Sequence, residues 1–462
     1  MQAQKGSAHW SSRFAFLMAA VGAAVGLGNF WRFPYMAGEN GGGAFIVIYI
    51  VCVLGVALPI LMAELLIGRR GGLSAVGSLR KVAVENGSSP MWRVIGWVSM
   101  IAAFLILSYY SVIAGWLIAY IPQAMTGALK GITAEASAER FKALLGMPRL
   151  LAFYHAVFMV LTVFIVSRGV IKGIERAVEI LMPLFFFLLL GIVAYSWVTG
   201  DTTRAFDFMF SPDFSQITPS VILDAIGQAF FSIGVGMAIM MTYGAYLTQD
   251  MHIPRASSII CVADTMVAVL AGIAIFPIVF AVGLDPAGGP GLLFATLPVA
   301  FGQMPFGQVF GTAFFSLALF AALTSSISLL EIAVSWGEEH TSWGRARLAY
   351  VAGFLAWVIG IASVLSSNIW SDVYVLGMFA PFQTMTIFDL IDYMTANIML
   401  PLAGILTAIF AGWVLQKTVT LEELRLSDGA IYAIWRGLMR YVVPVSVGAV
   451  LVYLTIGKAL LG

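Results

Sequence analysis

Three groups of residues have the types and spacing to do chemistry inside an otherwise apolar chain. The first is Gly22-Ala-Ala-Val-Gly-Leu-Gly-Asn-Phe-Trp-Arg-Phe-Pro-Tyr35. Gly22, Gly26, Gly28 and Asn29 weaken a helix in mid-run, and Pro34 removes a further N–H. Within hydrocarbon, backbone freed from its helix survives only where it lines a protein cavity or binds something. Its carbonyls then face cations and its N–H groups face an anion. Arg32 follows directly, a charge at membrane depth and therefore a functional candidate. The second group is Ala321-Ala-Leu-Thr-Ser-Ser-Ile-Ser328, in which Thr324 and Ser325 can converge on one cation with a carbonyl a turn earlier. Oxygen-only ligand sets suit hard ions such as sodium. The third is Asp264, set among Val262, Ala263, Met266 and Val267 with no Lys or Arg within a turn. Such a carboxylate is costly in hydrocarbon unless a cation or donors compensate it.

Each group also has a plainer reading. Gly22-x-x-x-Gly26 can be a helix-dimer face, and Lys5 and Arg13 before the apolar run Phe14–Val25 resemble a secretory signal. Neither accounts for Asn29 and Arg32. An isolated Ser or Thr commonly bonds back to its own i−4 carbonyl, but three consecutive hydroxyls cannot all face one way. Asp264 can have a structural partner instead of a cation. Asp392 and Asp389 compete as partners for Arg32, and Glu64 reads as a residue that satisfies broken backbone rather than one that binds substrate.

The elements that must position these residues are membrane helices. The chain has 462 residues, 61% of them hydrophobic and 10% charged, with a mean hydropathy of +0.96. Soluble domains carry about 25% charged residues, so this is an all-α polytopic membrane protein. A net charge of +1 excludes a nucleic-acid role. Cys52 and Cys261 lie in apolar runs and imply no disulfide framework, and four scattered histidines imply no metal cluster. Apolar runs near 14–37, 42–67, 94–121, 150–167, 178–198, 220–247, 258–283, 307–334, 347–365, 386–415 and 437–457 each approach or exceed the roughly 20 residues a span needs. With the N-terminus cytoplasmic, seventeen Lys and Arg fall on inner segments and six outside. Eleven spans then place the C-terminus outside, in a multi-pass protein of the cytoplasmic (inner) membrane. The polar gaps are loop-sized, so 1–462 is one transmembrane domain.

The sixth run repeats the oddity of the first: Gly227-Gln-Ala-Phe-Phe-Ser-Ile-Gly-Val-Gly-Met237 again sets glycines and a hydroxyl at mid-span. Gly234 and Gly236 taken alone can simply allow close packing. Paired with the first break, five helices earlier, they point to two inverted five-helix halves with the binding site at their breaks. The repeats run from about 10 to 200 and from about 218 to 415, with an extra helix near 437–457.

These residues resemble the neurotransmitter:sodium symporter family, in its bacterial amino-acid branch, closest in character to multi-hydrophobic amino acid transporters. The resemblance runs from Trp10 to the eleventh helix. It is carried by the Gly22–Tyr35 stretch, Asn40-Gly-Gly-Gly-Ala-Phe45, Gly173-Ile-Glu-Arg176, Gly227-Gln-Ala-Phe-Phe231 and Leu323-Thr-Ser-Ser326. It implies the LeuT-type fold: a 5+5 inverted repeat, 11 transmembrane helices in all, with helices 1 and 6 discontinuous. It implies two sodium sites. One uses Ala24, Asn29, Ser232 and Asp264 with the substrate's own carboxylate. The other uses carbonyls of Gly22, Val25 and Ala321 with hydroxyls of Thr324 and Ser325. The substrate carboxylate would meet Leu27, Gly28 and Tyr110, and its amino group would face carbonyls of Ala24, Phe231 and Ser232. Ile106, Tyr110, Phe231, Gly234, Met237, Ser325 and Leu329 would shape the side-chain pocket. Tyr110 and Phe231 would form the outer lid, with Arg32 and Asp392 above, and Trp10 and Glu339 would belong to the cytoplasmic latch.

The chain departs from the family in informative places. The Arg usual three residues before Trp10 is Ser7, and Lys5 is the substitute available to pair with Glu339. Gly26 stands where amine-selective members carry aspartate. Gly234 and Met237 stand where many relatives have Ser and Phe, which suggests a roomier pocket taking leucine, methionine and aromatic amino acids. Of the chloride-binding set, Tyr49, Gln228 and Ser232 are present but the fourth position is Ala268. Asp264 occupies the neighbouring position and brings its own negative charge, so no chloride requirement is expected.

The expectation is therefore a sodium-coupled symporter importing hydrophobic or aromatic L-amino acids by alternating access, with sodium, substrate and lipid as partners and no obligate protein partner implied. The competing readings are an ion channel and a sodium symporter for another small zwitterion. A channel has little use for two deeply broken helices around an enclosed site. An intramembrane enzyme lacks its nucleophile–base pair, since His155 is the only histidine in a span.

Overall fold

The computed structural model describes residues 9–286 and 289–457. Lys5, Ser7 and the outer Lys458 lie outside the described residues. Every regular element among those described is helical. The chain enters through α1 (Arg13–Ala24) and α2 (Gly28–Glu39), two halves of one crossing bent by 49° at the break between them. Ser12 caps α1 by accepting the Ala15 N–H at 3.0 Å. Then follow α3 (Gly43–Gly71), α4 (Pro90–Met125), α5 (Pro148–Ser167) and α6 (Val170–Thr199), each long and apolar enough to cross a bilayer.

The second interrupted crossing is α7 (Pro219–Ile233) followed by α8 (Ile239–Ala245), neither long enough to span alone. The remaining crossings are α9 (Ile253–Ala281), α10 (Gly307–His340), α11 (Arg345–Ser366), α12 (Ile387–Val414) and α13 (Ala430–Thr455). Nine described helices thus span unbroken, and the two interrupted pairs bring the crossings to the expected eleven.

The break after α7 has a local cause. Gly234, Gly236 and Ala238 all have left-handed backbone, at φ 72°, 85° and 62°. The first two are free to do so as glycines, while Ala238 bears a cost of about 1–2 kcal/mol. The buried Gly236 N–H, freed from the helix, is taken by the Glu64 carboxylate (Oε1) at 2.7 Å, and a Cβ on Gly236 would meet the Leu400 carbonyl at 2.9 Å. Glu64 therefore serves broken backbone, as its position predicts.

Lipid tails are as apolar as leucine, so these helices cohere by close packing and internal polar bonds rather than by hydrophobic driving force. The middle of the molecule is accordingly built from small buried residues: Ala20, Ala103, Ala114, Ala318, Ala322 and Ser326 are almost fully enclosed. The rim of α6 and α13 instead exposes Phe187, Val198 and Val445. One end of the bundle is tied by charge, with Arg69 bonded to Glu423 at 2.9 Å and to the Met251 carbonyl at 2.6 Å.

Candidate functional site

The break in the first crossing leaves its last carbonyls unpaired along the helix. The Gly26 N–H donates to Asn29 Oδ1 at 3.0 Å and the Leu27 N–H to the Tyr110 hydroxyl at 3.4 Å. The Gly22 and Ala23 carbonyls thus lose their normal i+4 donors. This break faces α9 and α7. Asn29 Nδ2 donates to Asp264 Oδ1 at 2.9 Å and to the Asp264 carbonyl at 3.1 Å. The Ser232 hydroxyl donates to Asp264 Oδ2 at 2.7 Å, and Tyr49 OH reaches the same oxygen at 3.4 Å. Asp264 is fully buried and has no Lys or Arg partner among the described residues. A buried carboxylate held only by neutral donors is a strong attractor for a cation. Asn29 presents its nitrogen here, so joining a cation shell requires its amide to turn and offer Oδ1.

A second oxygen cluster forms where α10 crosses the same break. Thr324 Oγ1 donates to the Ala321 carbonyl at 3.0 Å, and Ser325 Oγ to the Val25 carbonyl at 3.4 Å and the Ala23 carbonyl at 3.3 Å. Gly22 lies against Thr324, whose Cβ would be 3.4 Å from any Cβ placed there. Gly22, Val25, Ala321, Thr324 and Ser325 thus meet at one place. The Thr324 hydroxyl also bonds back along its own helix at 3.2 Å to Phe320. The plain hydroxyl reading thus holds for Thr324 at the place where these oxygens gather.

Between these clusters lies a cavity of about 40 Å³. Ala24, Leu27, Gly28, Ile106, Tyr110, Phe231, Ser232, Gly234, Met237, Ser325 and Leu329 line it, together with Ala23, Gly26 and Ile239. Ile239 was missed because it sits beyond the α7–α8 break, where helical periodicity restarts with a new phase. Gly26 is closely hemmed in: a Cβ would meet Ser325 Oγ at 2.7 Å and Tyr110 OH at 3.2 Å, so any larger residue must displace the Ser325 hydroxyl. Gly234 has a left-handed φ of 72°, and a Cβ there would touch only Ile239 and Met237, both at an ordinary 3.8 Å, so backbone conformation and not only pocket size favours this glycine.

Tyr110 and Phe231 also line a second, larger cavity of about 310 Å³ on the far side, with Arg32, Asp389 and Asp392. They form the partition between the two. The Arg32 guanidinium lies 4.7 Å over the Phe231 ring. Arg32 and Asp392 face the same cavity without meeting as an ion pair, and Asp389 instead caps α12 through Thr386.

The opposite end is shut. Trp10 is buried, its indole N–H bonded to the Tyr243 carbonyl at 3.1 Å and its ring packed on Phe16, Tyr243 and Tyr246. Tyr246 OH donates to Glu331 at 2.7 Å, and Glu331 pairs with Arg345. Ser11 binds Glu175, and Arg13 pairs with Asp250 at 2.7 Å. Glu339 accepts the Ser74 N–H at 3.0 Å. Glu331 and Asp250 were not singled out from sequence, and Glu175 entered only within the Gly173–Arg176 stretch with no role, because each is drawn in by a partner more than a dozen residues away.

The profile of the Sodium:neurotransmitter symporter family matches residues 7–140 and 145–458. The chain is 37% identical over 441 residues to a Bacillus subtilis protein named Uncharacterized sodium-dependent transporter YhdH, covering 95% of each. It is 33% identical over 442 residues to an Uncharacterized sodium-dependent transporter of Haemophilus influenzae, covering 94% of this chain and 95% of that one. Among solved structures it is similar to MhsT in complex with L-phenylalanine, with 41% identity and a TM-score of 0.87 over 96% of this chain and 99% of that one.

Proposed function

The chain belongs to the sodium:neurotransmitter symporter family, and from that premise we propose that this sodium-coupled symporter imports hydrophobic and aromatic L-amino acids by alternating access. It has the LeuT-type fold, a 5+5 inverted repeat with an additional last helix. The halves are assigned to about 10–200 and 218–415, and the N-terminus to the cytoplasmic side of the inner membrane. The Trp10 end is then the closed inner gate and the Arg32 cavity the outer vestibule.

One observation carries the reading: Ser232, bonded to Asp264 at 2.7 Å, also lines the small cavity between the two oxygen clusters. A ligand there shares a wall with the buried carboxylate. The α-carboxylate of an amino acid at Leu27, Gly28 and Tyr110 completes the first sodium shell begun by Ala24, Asn29, Ser232 and Asp264. Its amino group meets the carbonyls of Ala24, Phe231 and Ser232. A second sodium sits among Gly22, Val25, Ala321, Thr324 and Ser325 and joins the first broken helix to α10. Cation and substrate raise each other's affinity reciprocally. The apolar walls at Ile106, Met237 and Leu329 favour hydrophobic side chains, and the L-phenylalanine bound by MhsT is in keeping with that class. Asp264 supplies the charge that chloride would otherwise bring. A chloride about 4 Å away would be repelled by about 4 kcal/mol at an effective dielectric near 20, so transport is chloride-independent.

The test is uptake of labelled L-phenylalanine and L-leucine into proteoliposomes. Accumulation driven by an inward sodium gradient, lost when potassium replaces sodium and unchanged when gluconate replaces chloride, is expected. Substrate binding indifferent to sodium would overturn the proposal.

A further inference from the structure

Away from the transport path, α5 and α11 run antiparallel and leave an outward-facing groove of about 330 Å³. Ala156, Met159, Val160, Val163, Phe354 and Trp357 are among its walls. Gly353 makes the close approach at its floor, since any Cβ there would run into the Val163 side chain. Val160 and Phe354 are 65% and 60% exposed, so the groove opens sideways toward hydrocarbon rather than into the bundle.

One end of this groove is basic. Arg345 Nε donates to the Val166 carbonyl at 3.0 Å, joining the end of α5 to the start of α11. Arg345 itself is committed to Glu331 and Glu338. Two residues beyond each side of that junction stand Arg168 and Arg347, and Lys172 follows. All three are exposed and form no ion pair among the described residues. Arg168 lies 3.9 Å over the Phe164 ring and Arg347 4.1 Å over the Trp343 ring. Their guanidinium groups are thus held over ring faces at the rim, with N–H groups left to meet an anion. Five to six residues separate these cations from Val163 and Gly353, which at helical rise is about 8–9 Å. That distance suits a lipid whose phosphate sits at the rim and whose acyl chain lies in the groove.

We propose that the α5–α11 groove binds one anionic phospholipid, its headgroup on Arg168, Lys172 and Arg347 and one acyl chain along Met159, Val163 and Phe354. The inference rests on the membrane orientation given above, which places this rim in the cytoplasmic leaflet, where anionic lipids attract basic juxtamembrane side chains.

The test is native mass spectrometry of the full chain in neutral detergent with phosphatidylglycerol or phosphatidylethanolamine added. Wild type is expected to retain one phosphatidylglycerol in preference to phosphatidylethanolamine, by roughly fivefold for each basic side chain engaged. Arg168→Gln with Arg347→Gln should reduce that preference, and Ala156→Trp, which fills the groove without touching charge, should reduce retention of both lipids. Arg204→Gln, away from the rim, is the control and should change neither. Equal retention of the two lipids by wild type, or retention indifferent to Ala156→Trp, would overturn the proposal. So would a dimer that Ala156→Trp dissolves without loss of lipid, because the occupant would then be a second copy. The readout counts bound lipid and not transport. A chain that moved no amino acid would still show the site, and a chain that transports but selects no lipid would sink this inference alone.

Discussion

Replacing Asp264 by Asn separates the two things this carboxylate does. It is fully buried and its oxygens already collect donors from Asn29, Ser232 and Tyr49. Asn keeps the shape and one carbonyl oxygen but removes a full negative charge. A carboxylate and a cation about 4 Å apart attract by about 4 kcal/mol at an effective dielectric near 20. Part of that is retained by the amide dipole, and part was spent on desolvating the carboxylate before the ion arrived. A net loss of about 2 kcal/mol remains, which is roughly a thirtyfold weaker apparent sodium affinity. The assay is binding of labelled L-phenylalanine against sodium concentration at fixed ionic strength, with chloride or gluconate as the anion. Wild type should give one curve for both anions, and Asp264→Asn should shift its curve to about thirtyfold higher sodium. A variant within twofold of wild type would mean that Asp264 is not in the sodium shell. Wild-type binding that collapses in gluconate would mean that it is not the resident anion.

Other outcomes follow from neighbouring geometry. Gly26 has no charge to offer, and a Cβ there would already crowd Ser325 and Tyr110, so tryptophan should compete for uptake and tryptamine should not; equal competition would refute the carboxylate requirement. Met237 lines the cavity as a flexible side chain, and Met237→Phe should weaken tryptophan uptake several-fold more than alanine uptake; this is a cleaner test of pocket size than any change at Gly234, whose φ would strain a side chain. Glu64→Gln keeps an acceptor for the Gly236 N–H and should leave thermal stability near wild type, whereas Glu64→Ala leaves that N–H unmet and should cost about 1–3 kcal/mol; identical melting of the two variants would remove Glu64 from this role.

Much of this molecule was legible before its structure. Hydrophobic run length reports spans directly, because a bilayer imposes a nearly fixed length and forbids unpaired backbone. For the same reason helix-breaking residues at mid-run, as at Gly22–Asn29 and Gly234–Gly236, announce a cavity. Asp264 announced itself by being a charge with no local partner. The meeting of these residues was decided by tertiary packing alone. Asn29 finds Asp264 across 235 positions and Ser325 finds Val25 across 300, separations on which no local pattern bears. Packing also set Arg32 over Phe231 instead of against Asp392, and drew Glu331 to Arg345 and Tyr246. The groove between α5 and α11 belongs to the same class: its walls are ordinary apolar residues on two helices nearly two hundred positions apart, and only their antiparallel contact at Gly353 turns them into a surface. Periodicity and composition report what each segment must do with its own backbone and with the surrounding lipid. Which side chains share a site depends on the three-dimensional path that brings the helices together.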